Sequence, residues 1–135
     1  MVARALACGG VPAALVDPNA VVAPDATIGP GSYVGPGAIV SVAAKVGAHV
    51  ILNHDCQVGH DAVLEDFAQV SPGARVSGAA RLKEGAFMGA NAVIYQGRTL
   101  GAYAVLGATS FAVSNVPDGA TAMGNPARVV MGGKS

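Results

Sequence analysis

The chain has no tryptophan and only three phenylalanines and three tyrosines, although 52% of its 135 residues are hydrophobic. A core built on large aromatics is therefore excluded, and small aliphatic side chains must fill the interior. Charge is scarce as well: eight acidic and eight basic residues leave a formal net charge of zero. The Lys and Arg positions are scattered rather than gathered into a run, which argues against a nucleic-acid partner. No apolar stretch reaches the roughly 18 to 20 residues that a membrane helix needs. A soluble chain with no membrane partner is expected. There are only two cysteines, Cys8 and Cys56, and Gly9, Gly10 and Pro12 break the one apolar patch near the start before a secretory core forms. Reduced thiols and a cytoplasmic location follow as expectations.

What the chain does have is glycine, 19 of it, and a strict period. Stepping by six from Val16 gives Val22, Ile28, Val34, Val40, Val46, Leu52, Val58, Leu64, Val70, Val76, Leu82, Met88, Ile94, Leu100 and Leu106, every one aliphatic or Met. Four residues after each lies a second register, small at almost every step, from Ala20 through Cys56 to Ser110, with Arg98 as its one large member. With about half of residues apolar, sixteen consecutive hits have odds on the order of one in tens of thousands. Neither a helical period near 3.6 nor strand alternation at 2 describes a strict six, so a solenoid is required. One large and one small inward residue per hexapeptide suit a short strand followed by a tight corner, with Gly29, Gly35, Gly47 and Gly59 expected to relieve backbone strain there. Three such sides close a triangular coil of eighteen residues, and residues i and i+18 stack about 4.8 Å apart.

The pattern of one large aliphatic and two small residues in six resembles the bacterial hexapeptide-repeat acyltransferases. The tail Gly124-Asn125-Pro126-Ala127-Arg128 carries the same resemblance. It implies an all-β fold, a left-handed parallel β-helix; the handedness comes from the resemblance, since parallel crossovers are otherwise right-handed. About five full coils are expected over residues 16–112. Residues 1–15 read as a helical or irregular lead-in, a possible remnant of an N-terminal sugar-binding domain, and residues 113–135 as a cap over the open end, whose unpaired backbone would otherwise recruit another chain.

The three histidines, His49, His54 and His60, fall in one short window. A solvated corner explains any one of them. His60 stands out because Asp61 follows it as an orienting carboxylate and because position 78, eighteen residues on, is glycine, which leaves room for a ligand and exposes a backbone N–H as an oxyanion donor. The run Ile51-Leu52-Asn53, then His60-Asp61, then Phe67-Ala68-Gln69-Val70-Ser71-Pro72-Gly73-Ala74 resembles the sialic-acid and amino-sugar acetyltransferase branch, in which an Asn precedes the catalytic His by seven residues. The resemblance implies His60 as general base, Asp61 as its acidic partner, Gly78 as donor to the thioester carbonyl and Asn53 as a substrate contact. It also implies acetyl-CoA contacts at Gln69, where relatives commonly have His, and at Ala90, Gly107 and Ala108. Arg128 and Lys134 are candidate contacts to a CoA phosphate. The activity implied is acetyl transfer from acetyl-CoA, as cosubstrate and without a metal, to an amine or hydroxyl of a sugar or nucleotide-sugar, in a homotrimer. Cys56 occupies the small inward register and reads as a core thiol rather than a nucleophile. The rival readings are a non-catalytic β-helical scaffold and a zinc enzyme of the γ-carbonic anhydrase type, which shares the fold and uses three histidines.

Overall fold

A computed structural model describes residues 2–133; Lys134, a candidate phosphate contact, lies outside the described residues. A short helix, Val2–Ala7, precedes seventeen two-residue strands running from Leu15–Val16 to Phe111–Ala112. They stack as three parallel sheets, and partners lie eighteen residues apart throughout, as in Gln57↔Arg75 and Val58↔Val76. Strands recur on the three faces in turn, the first face beginning at Leu15–Val16, the second at Val21–Val22 and the third at Thr27–Ile28. This is a left-handed β-helix of about six turns. No helix among the described residues is long and apolar enough to cross a membrane.

Each strand turns its second residue inward and its first outward, so the aliphatic register and the small register meet in a single thin core. Leu52, Leu64, Leu82, Met88, Ile94, Leu100 and Leu106 are its largest fully buried side chains. The one polar member at the lower end, Ser32, is satisfied by donating to the Gly47 carbonyl and accepting from the Val50 N–H. Cys56 is fully buried in the same register, and burial pushes its thiol up to about 12, so it is a neutral core group; Cys8 and Cys56 are both free.

The corners correct one expectation. Gly29 and Gly59 do not relieve torsional strain: a Cβ on Gly29 would lie 2.4 Å from the Gly47 carbonyl carbon, so what they relieve is crowding between coils. The left-handed backbone lies two residues later, at every sixth position from Gly31 to Thr109. Nine of those positions are not glycine, among them Ala43, His49, Asp55, Asp61 and Asn91. A left-handed L-residue costs roughly 1–2 kcal/mol. The coil offsets this by continuing its hydrogen bonds around the corner, as where the Asp61 N–H donates to the Val42 carbonyl at 3.1 Å and the Ala79 N–H to the His60 carbonyl at 2.8 Å.

The upper end is where the strict register stops and the coil does not. Leu100 bridges Val116, and Leu106 pairs with Ala122. Both steps are sixteen residues rather than eighteen, so the last coil is two residues short between Ala112 and Val116, and Val116, Ala120 and Ala122 resume the buried register. The shortening lies directly above Arg98, which is exposed although it occupies the small inward register. Asn115 reaches down to accept from the Thr99 N–H at 2.9 Å in the same place. A hairpin of Thr121–Gly124 and Ala127–Met131, turning through a cis Asn125–Pro126 bond, then closes the first face as its antiparallel edge. Its Gly124 N–H donates to Ser110 Oγ at 3.0 Å, which satisfies the second buried serine.

The faces differ in chemistry. Outward residues of the first include Leu15, Tyr33, Ile51 and Phe87, and of the second Val21, Ile39, Val93 and Phe111, while the third carries Thr27, Lys45, Arg81 and Thr99. At the corner between the third and first faces, carboxylates cap outward N–H groups: Asp66 accepts from Ala48, Glu65 from Glu84 and Asp118 from Ala102. Asp118 is held below the ordinary carboxylate range by the Ala102 N–H and then by Lys83.

Gly29→Ala is expected to destabilise by about 1–3 kcal/mol because the clash is with backbone, whereas Ala43→Gly, which frees a left-handed position, is neutral or stabilising by up to about 1 kcal/mol; urea unfolding checks both. A depressed carboxylate contributes stability above its unfolded value and loses that contribution as pH falls through its folded one. Asp118→Ala therefore lowers the melting temperature at neutral pH, and its melting curve converges with that of the unsubstituted chain in acid.

Candidate active site

Each histidine lies on a different corner of one coil: His49 between the third and first faces, His54 between the first and second, His60 between the second and third. A three-histidine metal site cannot form within one chain from such a placement, and among the described residues no group of three or more His, Cys, Asp or Glu gathers to hold a metal. His49 is not free in solvent. It stacks on Phe67, eighteen residues on, with ring centroids 5.2 Å apart, and lines a small apolar cleft under the Val2–Ala7 helix. The eighteen-residue interval makes that pair legible in the sequence.

His60 is placed by the strand Gln57–Val58, whose inward Val58 anchors the corner two residues before it. Asp61 holds the left-handed position, and this turn brings its Oδ2 to 2.9 Å from His60 Nδ1. Both side chains are more than half exposed. A carboxylate accepting from Nδ1–H selects the tautomer that leaves the Nε2 lone pair free to take a proton. Nε2 lies over Gly78: a Cβ there would stand 2.4 Å from it. Gly59 clears the other side, since its Cβ would stand 2.6 Å from the Gly78 nitrogen. The Gly78 N–H has no acceptor among the described residues, in contrast to Ala48, Glu84 and Ala102, which hold the same place in their hexapeptides and are capped by carboxylates. An imidazole with an oriented ring and an uncapped backbone donor thus share one open corner.

The remaining expected site residues are elsewhere. Asn53, Ala90, Gly107 and Ala108 line the corner between the first and second faces, where Ala90 and Ala108 stack and the Thr109 N–H donates to the Ala90 carbonyl at 2.8 Å. Gly107 lies against Met123 of the closing hairpin. Gln69 points outward from the first face, exposed between Ile51 and Phe87. Within one chain, His60, Asp61 and Gly78 come together, while Asn53, Ala90, Gly107 and Ala108 form a second group one face away. Seven residues from Asn53 to His60 carry the chain past one corner to the next.

Between the two groups, the second face has a shallow groove of about 260 Å³ lined by Ser41, Gln57, Gly59, Arg75 and Ser77. Sequence reasoning passed over Arg75. The signal for it was a charged residue in an outward column that otherwise reads Val21, Ile39, Gln57, Val93 and Phe111.

Because the Gly78 contact is with the far end of an exposed ring, Gly78→Ala is expected to leave the melting temperature within a few degrees of the unsubstituted chain while swinging His60 off its column. The imidazole NMR resonances of His60, with those of His49 and His54 unmoved, report that displacement.

The bacterial transferase hexapeptide (six repeats) family matches residues 12–41. Among curated proteins no sequence matches the chain. Solved structures do: the acetyltransferase domain of PglB from Neisseria gonorrhoeae FA1090, 37% identical with a TM-score of 0.92, covers 96% of this chain and 63% of its own, and has also been solved with acetyl coenzyme A. A histidine-to-asparagine variant of perosamine N-acetyltransferase from Caulobacter crescentus, in complex with CoA and GDP-perosamine, is 28% identical with a TM-score of 0.94, over 97% of this chain and 62% of its own. WeeI from Acinetobacter baumannii AYE is 29% identical with a TM-score of 0.92, over 96% and 63%. The chain thus spans under two thirds of the length of these relatives. Repeat, coil and relatives agree in what the chain is similar to: sugar acetyltransferases built on the left-handed β-helix, with a bacterial transferase hexapeptide match over residues 12–41.

Proposed function

We propose that the chain transfers an acetyl group from acetyl-CoA to an amine, or a hydroxyl, of a sugar or nucleotide-sugar, with His60 as general base. The observation that carries this reading is the pairing at one corner of a base whose free Nε2 faces outward and a Gly78 N–H without an acceptor. The relatives solved with acetyl coenzyme A, or with CoA and GDP-perosamine, give the reading its substrates.

In this mechanism His60 Nε2 takes the proton of the acceptor nitrogen as that nitrogen adds to the thioester carbonyl. Asp61, hydrogen-bonded to Nδ1, stabilises the imidazolium that results. The Gly78 N–H donates to the carbonyl oxygen as it gains negative charge. When the tetrahedral centre collapses, the C–S bond breaks, the electron pair leaves with sulfur, and the imidazolium returns its proton to the thiolate. One N–C bond forms, one C–S bond breaks, and His60 ends as it began. Cys56, neutral and enclosed, takes no part.

The split between the two groups of site residues supports a shared site. Asn53, Ala90, Gly107 and Ala108 on one subunit meet His60 and Gly78 only if a neighbouring copy brings the two corners together, and the apolar outward residues of the first and second faces suit such an assembly. A homotrimer is the reading that follows, with Gln69 near the acyl donor in the neighbouring copy. A cytoplasmic location, where acetyl-CoA is made and used, completes the proposal.

His60→Ala is expected to lower the rate of acetyl-dependent thiol release by about 10²- to 10⁴-fold, the range for loss of a general base, with acetyl-CoA binding by calorimetry retained. Unchanged turnover in the variant would contradict the assignment.

A further inference from the structure

We infer that His54 of one copy reaches the acceptor bound at His60 of its neighbour, so that the acceptor is held from two subunits; this rests on the acetyl-transfer reading and the shared site above. His54 repeats the place of His60 one hexapeptide earlier. Each follows the inward residue of its strand by two, and each precedes an aspartate in the left-handed conformation. The two aspartates differ in what they touch. Asp61 turns to the His60 ring, whereas Asp55 leans over Gly37, and the exposed His54 ring has no hydrogen-bond or ion-pair partner among the described residues. Position 72, one coil above His54, is proline, and so is position 36 below it. Neither has the N–H that Gly78 offers above His60. His54 thus holds the place of the base at a corner without the oxyanion donor.

The corners of His54 and His60 bound the second face, so copies that join one corner to the other turn their second faces toward a common axis. The outward column of that face, mainly Val21, Ile39, Val93 and Phe111, suits such burial. Two prism edges that meet along their length lie parallel, and rotation about a parallel axis leaves the height of every residue unchanged. Eighteen residues rise about 4.8 Å, so the six from His54 to His60 rise about 1.6 Å. His54 of one copy therefore faces His60 of the next at almost the same level. The donor lies higher. Gly78 is one coil above His60, and Ala90 and Ala108, two and three coils above His54, have N–H groups without acceptors among the described residues. With acetyl-CoA running up from Gly78 past those groups, the space level with His60 is left to the acceptor. His54 borders that space, and its imidazole offers the hydroxyl or amine groups of a sugar one N–H and one lone pair.

The test follows thiol release from acetyl-CoA with GDP-perosamine and with UDP-linked amino sugars. It compares the unsubstituted chain with His54→Ala, His54→Gln and His60→Ala, all checked for equal melting temperature and oligomeric state. For His54→Ala the acceptor KM is expected to rise at least about tenfold, with kcat and the acetyl-CoA KM within about threefold, and His54→Gln, which keeps a side-chain N–H, lies between. His54→Ala and His60→Ala chains carrying different tags are then co-expressed and purified through both tags. Every mixed trimer joins an intact His60 to an intact neighbouring His54 at one site of its three, so about a third of the unsubstituted rate is expected at low acceptor concentration. Were both residues to serve one chain's own site, no site would be intact and the mixed trimers would stay below about a tenth. An unchanged acceptor KM in His54→Ala, tags that do not co-purify, or mixed trimers below that tenth would overturn the assignment, while the loss in His60→Ala would keep the acetyl-transfer reading. Thiol release from none of these acceptors by the unsubstituted chain would sink that reading and the assignment with it.

Discussion

The structure depends on one constraint: each coil's backbone must hydrogen-bond to the next at a spacing of eighteen residues. That spacing decides which side chains stack, and it tolerates left-handed residues at every corner because the ladder continues through them. It also sets where glycine is needed. Gly29 and Gly59 are small because the next coil's backbone passes directly over them. Gly78 is small because the His60 ring from the coil below occupies the space its side chain would take. Crowding between coils and the chemistry of the open corner are thus set by the same lattice.

A lattice of this kind separates stability from function. The inward registers are spent on the thin aliphatic core, so chemistry is left to outward positions on corners and faces. One edge is closed to it. At the edge between the third and first faces, carboxylates from Glu65, Asp66 and Asp118 take the outward N–H groups, and His49 is taken up by Phe67. The Gly78 corner is set apart by the ring lying over it: there the His60 imidazole, its Nδ1 held by Asp61, meets a backbone N–H that no carboxylate caps. Arg75 and Gln57 extend that polarity onto an adjoining face that is otherwise apolar.

Much of this was legible in the sequence. The period of six, the aliphatic and small registers and the stacking of residue 60 with residue 78 all follow from counting, and the His60–Asp61 contact follows from adjacency. Two matters were less visible. Counting in sixes stops at a two-residue shortening, so the continuation of the coil through Val116 and Ala122 is hidden, although the exposed Arg98 beneath it marks the place. Spacing along the chain also conceals the corner to which a residue belongs: Asn53 and His60 read as one motif and lie on different edges of the prism. The capping roles of Glu65, Asp66 and Asp118 depend on side-chain torsions that no spacing encodes.

The central claim is that the thioester is activated at the corner formed by His60 and Gly78. A crystal structure of the chain with acetyl-CoA tests it most directly. The account predicts the thioester carbonyl oxygen within hydrogen-bonding distance of the Gly78 N–H, its carbon open to attack from the side that His60 Nε2 faces. Acetyl-CoA bound with its thioester away from that corner, the Gly78 N–H still without an acceptor, would contradict it.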